Sequence, residues 1–189
     1  MRGLCVAVAW AVVWGCIAAA ETPRPEHPRP QYERAEWLNL NGTWDFAETD
    51  DDATAPYLAG DGFDEEIVVP FAREAALSGI GRRAFVRHVW YRRSFDLPAA
   101  WTAERIRLHF MAVDWRTTVW LNGVELGTHT GGNAPFVFDI TRDVLRDGPN
   151  TLIVRAFDDT GSGLQPLGKQ SIRDGESFGI FYTPTTGIW

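Results

Sequence analysis

Two adjacent carboxylates, Asp158 and Asp159, follow the apolar segment TLIVRAF and open a small-residue stretch, DDTGSG. A carboxylate accepts paired hydrogen bonds from vicinal sugar hydroxyls and can also ligate a cation. The alternative is that Asp158 begins an Asx turn, in which its side chain bonds to nearby backbone. The residues alone leave both interpretations open for Asp158, whereas Asp159 is interpreted as a turn residue.

His129 lies in the segment GTHTGG and is the second polar candidate. Its ring could contact a sugar, but we favour a loop histidine that hydrogen-bonds to backbone and holds the turn. Gly131 and Gly132 are expected to supply positive φ and close packing. They do not indicate a phosphate site, because a strand and not a helix N-terminus is predicted to follow them.

Other chemistries lack support in the sequence. The four histidines, at positions 27, 88, 109 and 129, show no metal-ligand spacing. The chain carries 18 Lys and Arg against 25 Asp and Glu, a net charge of −7. A nucleic-acid partner would require a basic surface, so we expect none.

The first 20 residues have the composition of an export signal. Arg2 precedes an apolar run, and small residues at Ala18 and Ala20 predict cleavage after Ala20. The run is too short to suit a transmembrane span. The expected location is therefore the periplasm or the cell exterior; the alternative is a lipoprotein anchored through Cys16. Cys5 and Cys16 are the only cysteines, so the mature chain would have no thiol and no disulfide.

The sequence after residue 20 predicts an extended leader followed by β-strands. Residues 21–36 contain prolines among charged groups and predict a stiff, extended linker. In the segment ERIRLHF, Ile106, Leu108 and Phe110 alternate with polar residues, which predicts a half-buried strand. In TLIVRAF, apolar residues occur on both faces, so both faces are expected to be covered. LNGTWDFA, EIVVPF and HVWYRRSFDLP are further strand candidates, and AREAAL is at most one or two helical turns.

Asn122-Gly123, between TVWL and VELG, is the strongest turn signal. A type I′ hairpin needs positive φ at both central residues, which Asn and Gly tolerate. We expect Gly127 to close the second strand, residues 127–135 to form a loop, and FVFDIT to begin the next strand. Many short strands separated by Gly and Pro turns predict an antiparallel sandwich or barrel.

Several segments, in order, carry a resemblance to a known family. They are LNGTWDF, VPF at 69–71, WYRRSF at 90–95, the stretch 109–141, NTLIVRAFDD, GKQ at 168–170 and TPTTGIW at 183–189. In these segments the chain resembles the N-terminal, sugar-binding-type domain of glycoside hydrolase family 2, which includes β-galactosidases, β-glucuronidases and β-mannosidases. The resemblance covers nearly all of residues 37–189 and implies a galactose-binding-like jelly-roll β-sandwich.

The resemblance also limits what this chain can do. In the family, the two catalytic glutamates lie on a downstream (β/α)8 barrel, so no catalytic residue is expected here. Retaining hydrolysis needs two carboxyl groups about 5 Å apart. The chain is therefore expected to be a C-terminally incomplete piece of a glycosidase, inactive alone. The acidic position after the TLIVRAF strand can help to hold the sugar in the family, and Asp158 matches it. Asn133 stands where many members carry an aromatic residue or His, so no role is transferred to it.

We therefore expect the parent protein to hydrolyse terminal β-linked sugars with retention, galactosides being the first choice. This domain would pack on the barrel and shape the substrate cleft. Two alternatives are a carbohydrate-binding module without chemistry and a scaffold domain that binds no sugar. No cofactor is expected, while a Na⁺, Mg²⁺ or Ca²⁺ ion in the parent enzyme is left open. Among the tryptophans, Trp101 and Trp115 are the better candidates for exposure, and Trp189 is expected near the barrel interface.

Overall fold

A computed structural model describes residues 21–102, 104–166, 170 and 184–189. The predicted signal at 1–20, including Cys16, lies outside the described residues, as do Gly168 and Lys169 of the GKQ segment. The leader carries one short 3-10 turn, Pro30–Tyr32, and lies at the surface. Across the described part of the chain, no helix combines the length and apolar character that a membrane crossing requires.

Ten strands form the framework of the described residues. They are β1 Gly42–Thr49, β2 Glu65–Val69, β3 His88–Phe95, β4 Arg107–Phe110, β5 Val113–Asp114, β6 Arg116–Leu121, β7 Val124–Thr130, β8 Phe136–Asp139, β9 Asn150–Phe157 and β10 Gly187–Ile188. Helical structure in the described residues is limited to the four-residue helix α1, Ala55–Leu58, and short 3-10 turns at Pro30–Tyr32, Ala76–Ser78 and Thr160–Ser162. The segment AREAAL thus contributes less than one full turn, within the prediction.

Six strands make the main sheet, in the order β2-β1-β3-β9-β6-β7. Each neighbouring pair in it is antiparallel. Strand β4 pairs with β8, and β5 pairs with β10, in two smaller antiparallel sheets. Because β9 lies between β3 and β6, the segment TLIVRAF is the central strand, and the residues that follow it leave from the middle of the sheet.

The main core lies between the six-stranded sheet and the β4–β8 pair. Alternation places Leu108 and Phe110 of β4 inward and Arg107 and His109 outward, as predicted. Leu152, Val154 and Ala156 of β9 pack in this same core. Its largest contributors include Trp44, Phe46, Tyr91, Phe110, Phe136 and Leu121.

A second apolar cluster covers part of the outer face of the main sheet. Ala47, Trp90, Trp120 and Ile153 are buried there, beneath Tyr57 and Phe63 from the chain around α1. Trp90 stacks between Tyr57 and Trp120, with ring centroids 4.4 and 5.7 Å away. The prediction that both faces of TLIVRAF are covered is therefore confirmed at Ile153, whereas Arg155 and Phe157 on the outer face are half-buried and Thr151 is exposed.

The Asn122-Gly123 hairpin is confirmed, with φ of 52° and 82° at the two residues. The strand after it, however, does not end at Gly127, as the sequence predicted. Strand β7 runs on to Thr130, because Thr128, His129 and Thr130 pair with Thr118, Thr117 and Arg116. A register shift in β6 at Val119 and Trp120 accompanies Gly127, whose φ is +140°, so the glycine marks an irregularity inside the strand.

The tryptophans divide by environment. Trp44, Trp90 and Trp120 are buried, while Trp37, Trp101 and Trp115 are half-buried. Trp189 is exposed at 44%. Trp101 and Trp115 are thus less accessible than the sequence predicted, and among the described tryptophans the exposed one is Trp189, which directly follows β10.

Candidate functional site

Asp158 directly follows the central strand and lies inside the protein, with 1% of its surface exposed. The amide of Gln165 donates to its Oδ1 at 2.6 Å, and the hydroxyl of Thr186 donates to its Oδ2 at 2.9 Å. Its backbone N–H donates to the carbonyl of Arg87 at 2.8 Å. Both carboxylate oxygens are therefore occupied by partners from the following loop and from the last described segment.

Asp114 is a second buried carboxylate, at the end of β5. Gln170 donates to its Oδ2 at 2.9 Å. The backbone of Gly132 covers it so closely that a Cβ there would stand 2.6 Å from the carboxylate carbon. The predicted close packing is therefore confirmed at Gly132, where the carboxylate lies beneath the backbone, and the predicted positive φ is confirmed at Gly131, at +130°.

Glu74 is the third buried carboxylate and lies in the loop after β2. Arg73 donates from Nη1 to its Oε1 at 3.2 Å, and the backbone N–H of Thr186 donates to its Oε2 at 3.3 Å. Arg73 is itself buried and bonds from Nε to Glu48 at 2.5 Å. One buried cation is therefore shared between two carboxylates.

The last described segment, residues 184–189, connects these groups. Thr186 bonds to both Glu74 and Asp158, and the N–H of Thr185 donates to Gln170 Oε1 at 2.7 Å. Trp189 donates from Nε1 to the carbonyl of Gly132 at 2.9 Å. We call Glu74, Asp114, Asp158, Gln165, Gln170 and Thr186 the carboxylate cluster.

Burial changes the acidity of all three carboxyl groups. The pKa of Glu74 rises to about 7 because burial disfavours the anion, although Arg73 opposes the rise. The pKa of Asp114 rises to about 6, first through burial and then through the charge of Asp158. Burial also raises the pKa of Asp158, against the hydrogen bonds from Thr186 and Gln165. The cluster can therefore hold protons near neutral pH and both donate and accept hydrogen bonds.

A cation site is not indicated by this arrangement. No group of three or more His, Cys, Asp or Glu side chains within the described ranges has a geometry that could hold a metal ion. The oxygens of Asp158 are also directed at an amide and a hydroxyl instead of a common point. The cluster is an organised set of hydrogen bonds beneath the Gly132 loop.

His129 differs from its prediction in two ways. It lies in strand β7 and not in a loop, and its ring forms no hydrogen bond to any described residue, Nε2 being buried without a partner. The ring instead stacks on Phe136, with centroids 4.2 Å apart and planes 15° apart. The histidine therefore contributes by packing between β7 and β8.

Of the carboxylate cluster, only Asp158 was predicted from the sequence as a site residue. Asp158 was named because it follows an evident strand, but Glu74 and Asp114 come from distant segments. The one available signal for Asp114 was a lone acid between the apolar residues Val113 and Trp115. Glu74 lies in AREAAL, where a charged residue beside alanines is typical of the exposed face of a helix.

Comparison with known proteins identifies the domain. Residues 61–164 match the family model described as glycosyl hydrolases family 2, sugar binding domain. The chain belongs to glycosyl hydrolase family 2. The match begins before β2 and ends at residue 164, in the loop that follows β9. It therefore contains Glu74, Asp114, Asp158 and strand β9.

Individual members of family 2 are similar to this chain in sequence. The chain is 32% identical over 158 residues to a β-glucuronidase of Sus scrofa, covering 75% of this chain and 24% of the relative. It is 43% identical over 68 residues to a β-galactosidase of an Arthrobacter species, covering 34% of this chain and 7% of the relative. The chain thus spans about a quarter of the length of the glucuronidase relative.

Solved structures place the fold in the same family. The β-glucuronidase of Bifidobacterium dentium, complexed with coumarin-3-O-glucuronide, matches with a TM-score of 0.53 and 33% identity over 61% of this chain and 19% of its own. The β-glucuronidase of Faecalibacterium prausnitzii matches with a TM-score of 0.54 and 32% identity, over 64% of this chain and 20% of its own. The predicted all-β, jelly-roll antiparallel β-sandwich is confirmed.

Proposed function

We propose that this domain is part of an exported glycosidase that hydrolyses terminal β-linked sugars with retention. The match of residues 61–164 to the family 2 sugar-binding domain carries the proposal. The relatives named β-glucuronidase and β-galactosidase support it. The catalytic carboxylates would be supplied by a barrel elsewhere in the full-length protein, where this domain would pack and shape one wall of the cleft.

A β-glucuronide is the substrate that we propose first. The relative with the longer match, from Sus scrofa, is a β-glucuronidase, and so are the two solved structures described above. A β-glucuronide replaces the galactoside that was the first choice from the sequence. The shorter match, to the Arthrobacter β-galactosidase, supports the galactoside. Hydrolysis of an aryl β-glucuronide and an aryl β-galactoside by the full-length protein would separate the two. A kcat/KM higher for the galactoside would refute the first choice.

Within the domain, we propose that Asp158 acts as a positioning residue for the substrate cleft. Its oxygens hold Gln165 and Thr186, so it joins the loop after β9 to the last described segment. Loops at strand ends commonly carry binding residues, and their geometry depends on such bonds. That Asp158 also contacts the sugar directly stays a prediction from the family resemblance.

Two single variants and their combination, made in the full-length protein, test these roles. Positioning through Thr186 predicts that Asp158→Ala and Thr186→Val both lower kcat/KM, and that the double variant is no worse than Asp158→Ala. Asp159→Ala is the matched control, because the side chain of this neighbouring acid forms a 3.7 Å ion pair with Arg87 and bonds to neither Gln165 nor Thr186. Direct contact predicts a different result, a higher KM in Asp158→Ala with Thr186→Val unchanged. An unchanged Asp158→Ala variant would refute both roles.

The proposal that the protein is exported can be tested separately. Intact mass of the protein recovered from its producing cells distinguishes cleavage after Ala20 from lipidation at Cys16. A protein that retains residues 1–20 in full would refute the export proposal.

A further inference from the structure

A shallow depression of about 280 Å³ lies on the outer face of the main sheet, beside the Trp90 cluster. Arg116, Thr118, Thr128, Arg155 and Phe157 line it. Its volume is close to the lower bound of about 300 Å³ for small-molecule pockets, which suits a ligand the size of a saccharide unit. Two guanidinium groups, two hydroxyls and one aromatic ring therefore face a common space.

Strand register brings these residues together. Arg116 pairs with Phe157 across β6 and β9, and Thr118 pairs with Arg155 on one side and Thr128 on the other. Their strand neighbours Thr117, Val119, Val154 and Ala156 point into the core, so alternation directs the five side chains outward. The depression therefore rests on three adjacent strands of a rigid sheet.

The two arginines differ in their partners. The Arg116 guanidinium lies 4.7 Å from the centre of the Phe157 ring and forms no ion pair with any described residue. Arg155 bonds to the carboxylate of Asp52 and, from Nε at 3.2 Å, to Nδ1 of His88. Burial and the charge of Arg155 both lower the pKa of His88, which keeps that ring neutral at pH 7. The depression is thus locally cationic on a chain of net charge −7.

Asp52 already supplies a carboxylate to one of the two arginines. It comes from an otherwise exposed loop, its own side chain 83% exposed, and reaches across 103 positions of sequence to Arg155. Guanidinium groups bind carboxylates with paired, charge-assisted hydrogen bonds, whereas hydroxyls beside them suit the hydroxyls of a sugar ring.

We propose that this depression binds an acidic saccharide through its carboxylate. Arg116, which lies over the Phe157 ring, takes the carboxylate, Arg155 assists it in competition with Asp52, and Thr118 and Thr128 bond to ring hydroxyls. The ligand class is an oligosaccharide that contains uronic acid units. This binding does not depend on the proposed glycosidase activity and adds to it a surface that would hold the protein on an anionic glycan.

The test is calorimetric titration of the full-length protein with an α-linked trigalacturonate and with its neutral methyl ester. The wild-type protein is expected to bind the acid and not the ester. Arg116→Gln should weaken binding about tenfold or more, since it removes a charge-assisted bond. Asp52→Asn should tighten binding severalfold, because it removes the competing carboxylate from Arg155. Arg107→Gln is the matched control, an exposed strand arginine on β4 in the other sheet.

The outcomes separate this inference from the proposed function. Absence of binding by the wild-type protein, equal binding of acid and ester, or an Arg116→Gln variant that binds as the wild type does would each overturn the site. An unchanged Asp52→Asn variant together with a weakened Arg116→Gln variant supports a site in which Arg116 alone takes the carboxylate. Hydrolysis of aryl β-glycosides by Arg116→Gln should keep the wild-type kcat/KM, so failure of either proposal leaves the other measurable.

Discussion

Protonation of Glu74 is expected to make the stability of this domain fall as the pH rises toward neutrality. The side chain is 5% exposed, and Arg73 and the N–H of Thr186 are its hydrogen-bond donors. Burial raises its pKa from 4.5 to about 7. The folded protein therefore keeps a proton on Glu74 that the unfolded chain releases between those two values.

The sign and size of this change in the free energy of unfolding follow from the linkage between protonation and folding. Where the folded state binds more protons than the unfolded state, the free energy of unfolding decreases with increasing pH. The contribution is fully present below pH 4.5 and is lost as pH rises to about 7. Each pKa unit corresponds to about 1.4 kcal/mol, so the total loss is on the order of 3 kcal/mol.

The perturbation that isolates this effect is Glu74→Gln. Glutamine keeps the shape of the side chain and one acceptor oxygen but does not titrate, so its cost is constant with pH. Asp114 and Asp158, whose pKa values are also raised, are present in both proteins and cancel in the difference. The assay is denaturant unfolding of both proteins at intervals across the window, and the wild type should lose about 3 kcal/mol relative to the variant.

Two results would refute the reasoning. A difference between wild type and Glu74→Gln that stays constant from acid to neutral pH would show that folding does not shift the pKa of Glu74. A difference that grows in favour of the wild type would show that the ion pair with Arg73 outweighs burial. Glu66→Gln, an exposed carboxyl on β2, is the matched control for the loss of one acidic side chain.

Two further substitutions test buried positions at either end of the main sheet by denaturant unfolding. Gly187→Ala should cost about 3 kcal/mol, because its φ is +88° and a Cβ would lie 2.0 Å from the Tyr91 hydroxyl. Tyr91→Phe in the same chain should recover part of that loss, and no recovery would show that the backbone alone is responsible. Asn150→Leu should cost about 3 kcal/mol, because this fully buried amide bonds to the backbone of Leu145 in both directions and accepts from Asn122. A loss well below 1 kcal/mol would show that the buried bonds are replaced by water.

Local patterns predicted the strands well because each pattern depends on neighbours along the chain. The alternation of Leu108 and Phe110 with polar residues gave one buried face, and Asn122-Gly123 gave the hairpin. The same local reasoning ended β7 too early at Gly127. A glycine with positive φ ends a strand or forms an irregularity inside it, and pairing with β6 decided between the two.

The candidate site could be predicted only in part. Asp158 was placed after the central strand from sequence, but its burial and its bonds to Gln165 and Thr186 depend on the closed sandwich. His129 was expected to bond to backbone, and the neighbouring strand instead places Phe136 against its ring. The depression with Arg116 and Arg155 was not predicted, since those residues are 39 positions apart and meet only through the register of β6 and β9.

The sequence by itself determined the all-β class, the Asn122-Gly123 hairpin and the family of this domain, because turn chemistry, alternation and ordered motifs are properties of neighbouring residues. Only the tertiary structure decided which carboxyl groups are buried, that Arg73 is shared between Glu48 and Glu74, and which arginine is left facing solvent. Solvation and charge depend on atoms brought together from distant segments. Glu74, Asp114 and Asp158 are ordinary acids in the sequence, and their pKa values rise only because the sandwich excludes water from them.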